Sequence, residues 1–258
     1  MQPLPAASMA LLLAHLLGDF LLQPAWVARN KSRTTLLLLI HGATHYVMAW
    51  ACLMFFGRFG FQSIRNQLVV ASYLVVHLVI DQLKGWLIAR SAIPDNGRTF
   101  LVDQALHLIA LVVAAMFIAR TPVVELLTVM TQVSSRARAR ILETAIIYVA
   151  VVFGGGCLVR YLTRGIAQGI AEENPAQLDN AGLYIGWIER ALIITAMAMQ
   201  SPTLVGLILT GKSIARLPEF KEARFAEYFL IGTLLSMSLA VLGGILLLHL
   251  MYGTVSLK

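Results

Sequence analysis

Long apolar runs recur along the whole chain: Ala7–Leu22, Thr34–Phe56, Leu68–Ala89, Phe100–Ala119, Ile141–Leu162, Leu183–Gln200 and Phe225–Tyr252. A helix of ~20 apolar residues matches the ~30 Å hydrocarbon core of a bilayer. Continuous rather than alternating apolarity excludes the ~10-residue strands of a membrane barrel. The sequence therefore predicts an all-α, polytopic transmembrane bundle of seven or eight spans. Two shorter pieces remain: Pro122–Val133 is too short to span, and Thr203–Leu217 decides between seven and eight. Composition closes the alternatives. The chain is 59% hydrophobic and 13% charged, about half the charge of the soluble average of ~25%. A soluble fold of 258 residues cannot hide that much apolar surface. Cys52 and Cys157 both lie inside apolar runs and read as small hydrophobes, not as a bridge or a metal pair.

The net charge of +7 does not indicate nucleic acid. The basic residues stand singly or in small groups at the ends of apolar runs, with no basic face and no aromatic platform. They read as the positive flanks of membrane spans. The first run lacks a basic segment ahead of it and carries His15 and Asp19, so it is expected to be a span rather than a leader. Three regions are expected. Residues 1–120 form a four-helix transmembrane part. Residues 121–182 hold an amphipathic segment, one span and a polar loop at Ala171–Asn180. Residues 183–258 form a rear transmembrane part.

Ionisable residues inside spans are functional by default, because leaving charge in hydrocarbon costs ~2.5–3.5 kcal/mol even on insertion scales. Here they are patterned. His15 and Asp19 are four apart on the first helix, and His41 and His45 on the second. His77, Asp81 and Lys84 follow on the third, Asp103 and His107 on the fourth. Residues at i and i+4 project from one helix face. If face A is where the first helix ends, alternating helices place all eight His and Asp residues roughly 6–16 Å or slightly deeper below it, at ~1.5 Å per residue. Such a layer suits a divalent metal, zinc first, with iron or manganese as alternatives. His15, Asp19, His41, His45, His77, Asp81, Asp103 and His107 are the candidate ligands or their supports. Asp81 and Lys84 are the candidate catalytic pair. The other readings are hydrogen-bonded glue for the bundle and a proton or cation pathway.

A second polar set lies in the rear part: Glu189, Arg190, Lys212, Arg216 and Glu227. It suits an anionic group of a substrate such as phosphate or carboxylate. Mutual neutralisation at helix ends, with snorkelling Lys and Arg side chains, fits it equally. His249 stands alone and is expected at the interface.

The segments HLLGDFLLQ, IHGATH, HLVIDQLKG and VDQALHL resemble the bacterial membrane-protein family catalogued as domain of unknown function 3307. The rear segments GLYIGWIERALI, GKSIAR and AEYFLIGTLLS are similar to its longer members. The resemblance implies a multi-pass protein of the bacterial inner membrane and carries no reaction with it. The His/Asp layout is also similar in style to membrane-bound metal-dependent hydrolases. The expected function is an intramembrane metal-dependent hydrolase of a lipid or other amphipathic substrate; the alternatives are a divalent-cation or proton transporter and a membrane scaffold. Short-loop Lys/Arg bias marks the cytoplasmic side. Arg29, Lys31, Arg33, Arg90 and Arg98 flank face A against Arg58 and Arg65 on face B, which puts the N-terminus outside. Arg120, Arg136, Arg138 and Arg140 oppose that assignment.

Overall fold

The computed structural model describes residues 3–31, 34–57, 59–120, 137–167, 181–221 and 223–253. Pro122–Val133 and the polar loop Ala171–Asn180 lie outside the described residues, as do Arg33, Arg58 and Arg136. The described residues are helical, with no strand among them. In chain order the helices are α1 (Pro3–Leu16), α2 (Ala25–Asn30), α3 (Thr35–Cys52), α4 (Ile64–Ala89), α5 (Gly97–Ala119), α6 (Ala137–Val149), α7 (Gly155–Ala167), α8 (Ala181–Ala198), α9 (Thr203–Ala215) and α10 (Ala223–Tyr252). Wider π turns extend α1 over Leu17–Leu21 and α3 over Leu53–Gly57, and a third, Ala150–Gly154, joins α6 to α7.

Six helical stretches are long and apolar enough to cross a bilayer: Leu4–Leu21, Thr35–Gly57, Ile64–Ala89, Gly97–Ala119, Ala139–Ile166 and Ala223–Tyr252. The protein is thus an all-α, multi-pass membrane protein. Two further expected spans are shorter helices: α8 has 18 residues and α9 has 13. At ~1.5 Å per residue α9, about 20 Å long, falls short of ~30 Å, while the described part of α8, about 27 Å, lies at the lower end of the ~17–25 residues that cross.

Local chemistry sets the breaks. Pro24 and Pro202 stand immediately before α2 and α9, where a missing N–H costs nothing. Ser63 and Asn96 cap α4 and α5 by accepting from the backbone N–H groups of Asn66 and Thr99. Arg120 ends α5 in the left-handed region at φ 56°.

The chain divides into two units, residues 1–149 and 150–258; the division falls inside the stretch 121–182 that the sequence sets apart. In the front unit α1 is the central element, packed on α3, α5 and α6, while α4 packs on α3 and α5. Its alanines explain the position: Ala6, Ala7, Ala10 and Ala14 are buried, and small side chains let helix axes approach. Bulky apolar residues such as Leu36, Val47, Val75 and Phe117 point outward, as lipid-facing positions do. The buried set instead includes His15, His41, His45, His77, Asp81, Asp103 and His107. In the rear unit α10 packs on α7 and α8, and α9 on α8.

Candidate metal centre

All eight His and Asp residues singled out in the front part converge on one buried centre contributed by α1 with its π turn, α3, α4 and α5. Asp19 is its hub. Its Oδ1 lies 3.2 Å from His45 Nε2, 3.3 Å from His41 Nε2 and 3.8 Å from His77 Nε2. Its Oδ2 faces His15 Nε2 at 3.6 Å. Asp81 Oδ2 approaches the same place from α4, 3.1 Å from His41 Nε2 and 3.5 Å from His77 Nε2. The Nε2 atoms of His41 and His77 are 3.1 Å apart. Ligand atoms of Asp19, His41, His45 and His77 all lie within 4.8 Å of one another, and so do those of His77, Asp81 and His107.

Hydrogen bonds fix which ring nitrogens carry protons. The Gln23 side-chain oxygen accepts from His41 Nδ1 at 3.0 Å and from Lys31 Nζ at 3.2 Å, while its amide donates to the Asp19 carbonyl. With its proton on Nδ1, His41 presents the Nε2 lone pair to the centre. His107 Nδ1 donates to the Asp103 backbone carbonyl at 2.8 Å, so its Nε2 also carries a lone pair. That Nε2 is buried without a hydrogen-bond partner, as are His15 Nδ1, His77 Nδ1 and Asp103 Oδ1. Several unsatisfied polar atoms in one buried spot demand an explanation.

The imidazoles are close-packed among themselves. His45 and His77 have ring centroids 4.1 Å apart, His77 and His107 4.3 Å, and His15 and His107 5.1 Å.

Two lysines complete the centre. Lys84, expected as a catalytic charge, donates to Asp103 Oδ2 at 2.8 Å. Gln104 also donates to that oxygen, and its own Oε1 stands 3.4 Å from His15 Nε2. Lys31 reads in the sequence as a flanking loop charge; in the structure its Nζ is 2.6 Å from Asp81 Oδ2 and 3.2 Å from His41 Nε2. Pro24 and the short α2 fold the chain back so that Lys31 reaches the site. Gly18 is a further contributor the sequence reading missed. A Cβ there would lie 2.4 Å from His45 Nε2, so only glycine leaves room for that ring. The signal for Gln23 was its i+4 spacing from Asp19, and for Lys31 its closeness in sequence to Asp19 across Pro24; spacing along a straight helix does not reveal the return that brings Lys31 in.

The rear set separates into parts. Lys212 donates to Glu189 Oε2, forming a short ion pair, and its Nζ lies 5.6 Å from the Phe229 ring centroid. The pair lines a small cleft with Ile193, Ile208, Thr233 and Ser236. Arg190 points into the packed interior instead. Its Nε and Nη2 donate to the Val152 carbonyl at 3.0 and 2.7 Å, and its Nη1 to Ser236 Oγ at 2.9 Å. Gly156 and Gly186 leave room for the guanidinium, since a Cβ on either would come within 2.6 or 3.0 Å of it. Glu227 is exposed and Arg216 half-buried, and neither is brought into the front centre's ligand sets. His249 is exposed on α10.

Residues 8–135 match the family described as Protein of unknown function (DUF3307). The chain belongs to that family. The matched stretch contains every residue of the front centre, from His15 to His107, and stops before the rear unit begins. No curated protein matches the chain, and no solved structure does.

Proposed function

We propose that this DUF3307 protein is an intramembrane metal-dependent hydrolase whose divalent ion, zinc first among candidates, is held by Asp19, His41, His45 and His77. The supporting observation is one carboxylate oxygen, Asp19 Oδ1, standing 3.2–3.8 Å from three histidine Nε2 atoms. Hydrogen bonding alone is a poor account of this. A neutral His41 ring has no Nε2 proton to give when its Nδ1–H serves Gln23, yet its Nε2 faces two carboxylates and another Nε2. Spacings of this size match the edges of a tetrahedron of ligands at ~2.1 Å from a metal, which are about 3.4 Å.

The donor set of three imidazoles and a carboxylate fits zinc, iron or manganese. Such an ion supplies an activated water near neutral pH and polarises the scissile group. The chain's own residues do the remainder. Gln23 fixes the His41 tautomer, as a supporting hydrogen bond does for metal ligands generally. Gly18 admits the His45 ring. Lys31 and Lys84, with side chains 14% and 25% exposed, lead from the buried layer toward its edge, where they meet an anionic or polar headgroup. A lipid or other amphipathic molecule reaches such a site from the bilayer with its tail in hydrocarbon. Hydrolysis adds water across the scissile bond, with the hydroxyl going to the acyl or phosphoryl group and the proton to the leaving oxygen.

The test is purification in detergent followed by elemental analysis and an assay on phospholipid vesicles. Stoichiometric retained metal and hydrolysis lost on chelation support the reading. Absence of bound metal overturns it. Metal that exchanges freely, with uptake into proteoliposomes and no hydrolysis, overturns the enzyme in favour of a cation transporter.

A further inference from the structure

We infer that the front centre takes a second divalent ion, in the set His77, Asp81 and His107, so that the loaded protein is a two-ion site. This rests on the reading of the centre as a metal site and adds to it a second position and the charge that goes with it.

Three observations carry the inference. First, the ligand atoms of His77, Asp81 and His107 lie within 4.8 Å of one another, and all three residues are buried. His77 belongs also to the set around Asp19; its ring has one lone pair to give, so in the two-ion form His77 serves the second ion and Asp19, His41 and His45 hold the first. Secondly, the unsatisfied atoms concentrate here. His107 Nε2, with its lone pair fixed by the Nδ1 bond to the Asp103 carbonyl, has no partner, and neither do His77 Nδ1 and Asp103 Oδ1. An ion beside His107 supplies a partner where hydrogen bonding has none. Thirdly, the three carboxylates carry more negative charge than one divalent ion offsets once the two lysines are withdrawn. Asp19 faces only histidines at ion-pair distance among the described residues, while Asp81 and Asp103 are neutralised by Lys31 and Lys84.

Those lysines are the key to the charge. The Lys31 ammonium, 2.6 Å from Asp81 and 3.2 Å from His41 Nε2, stands where a cation belongs. Both lysines are long, flexible and partly exposed, and can carry their heads outward along the protein surface. The carboxylates and imidazoles are buried and fixed. Two divalent ions bring four positive charges. Asp19, Asp81, Asp103 and one hydroxide or substrate oxyanion bring four negative ones. With the lysines withdrawn the layer is neutral, as a low-dielectric setting requires. The released ammonium groups are then free to meet the substrate's anionic part. Paired ions ~3.5–4 Å apart are a recurrent device for clamping the attacking and leaving oxygens of a displacement.

Purified protein is stripped, titrated with Mn²⁺ and examined by elemental analysis and electron paramagnetic resonance. The inference expects two ions per chain with an exchange-coupled spectrum. In His107→Ala it expects one ion and an uncoupled six-line signal, measured on the monodisperse fraction. If that variant does not fold, His107→Gln keeps the ring volume closer and is read the same way. Saturation at one ion in the parent overturns the second site and leaves the one-ion reading standing. No ion at all overturns both. Two coupled ions retained without His107 places the second ion elsewhere and also overturns the inference.

Discussion

At the scale of single residues, the front centre makes sharp demands. Truncating His41 to Ala is expected to lower bound metal at least tenfold, and truncating Asp19 to do so at least as severely. His249→Ala, on an exposed face of α10, is expected to leave metal content at the parent level; elemental analysis of all three variants decides. Gly18→Ala is a subtler probe. The added methyl would stand 2.4 Å from His45 Nε2, so the ring must turn away while the π turn persists. Metal affinity is expected to fall about tenfold, or ~1.4 kcal/mol, with helix content unchanged by circular dichroism. The four i, i+4 pairs were legible in the sequence because helix periodicity and depth together leave few places for them to point. Lys31 was not. Its role depends on a chain reversal after Pro24, and composition reads every basic residue at a span end as a flank. Gln23 and Gln104 escaped for a related reason: neutral amides at helix ends are common, and only the contacts at 3.0–3.4 Å mark them.

At the scale of elements, the long helices follow from apolar run length and proline, which could be read directly; their polar first turns, such as those begun at Ile64 and Gly97 by the caps Ser63 and Asn96, could not, because they lie outside the apolar runs. The π turns could not, because an i→i+5 turn leaves no compositional mark. Ala150–Gly154 shows the consequence. The sequence offers Arg190 as a substrate contact. The structure instead seats its guanidinium against Gly156, donating to the Val152 carbonyl. Arg190→Met is expected to lower stability by about 1–3 kcal/mol, since it strands a buried carbonyl and the Ser236 hydroxyl. Thermal unfolding in detergent measures this. Metal content should not change, which separates Arg190 from the front residues. Glu189→Ala is expected to weaken the cleft locally by stripping Lys212 of its partner, again with metal retained.

At the scale of the whole chain, the apolar exterior and polar interior of the front unit make it a bilayer protein rather than a soluble one. Orientation is a separate matter, set by charge in short loops. Ser91 and Gln62 are exposed at opposite ends of α4. In a background lacking Cys52 and Cys157, Ser91→Cys is expected to be protected from an impermeant thiol reagent applied to intact cells, and Gln62→Cys to react. The reverse labelling pattern would place the His/Asp layer toward the outside. The layer itself was legible from depth arithmetic, because antiparallel neighbours share a common origin at each loop. Pairing within the layer was not legible, since depth says nothing of which oxygen meets which nitrogen.

The meeting of Arg190 with the widened turn has a consequence for how the rear unit tolerates change in chain length. A π turn holds one residue more than the α-helical turn it replaces, so removing Ala150, the first residue of the turn, lets the helix close into a regular ladder. The Val152 carbonyl then turns back along its own helix, and Arg190 keeps Ser236 Oγ but loses the acceptor of its Nε and Nη2, at a cost of about 1.5–3 kcal/mol. The deletion and Arg190→Met are therefore each harmful and together less harmful than their sum. A double-mutant cycle on melting in detergent should return a coupling of about 1–3 kcal/mol. Additive losses would mean that the extra residue and the arginine are independent, and that one did not come to need the other.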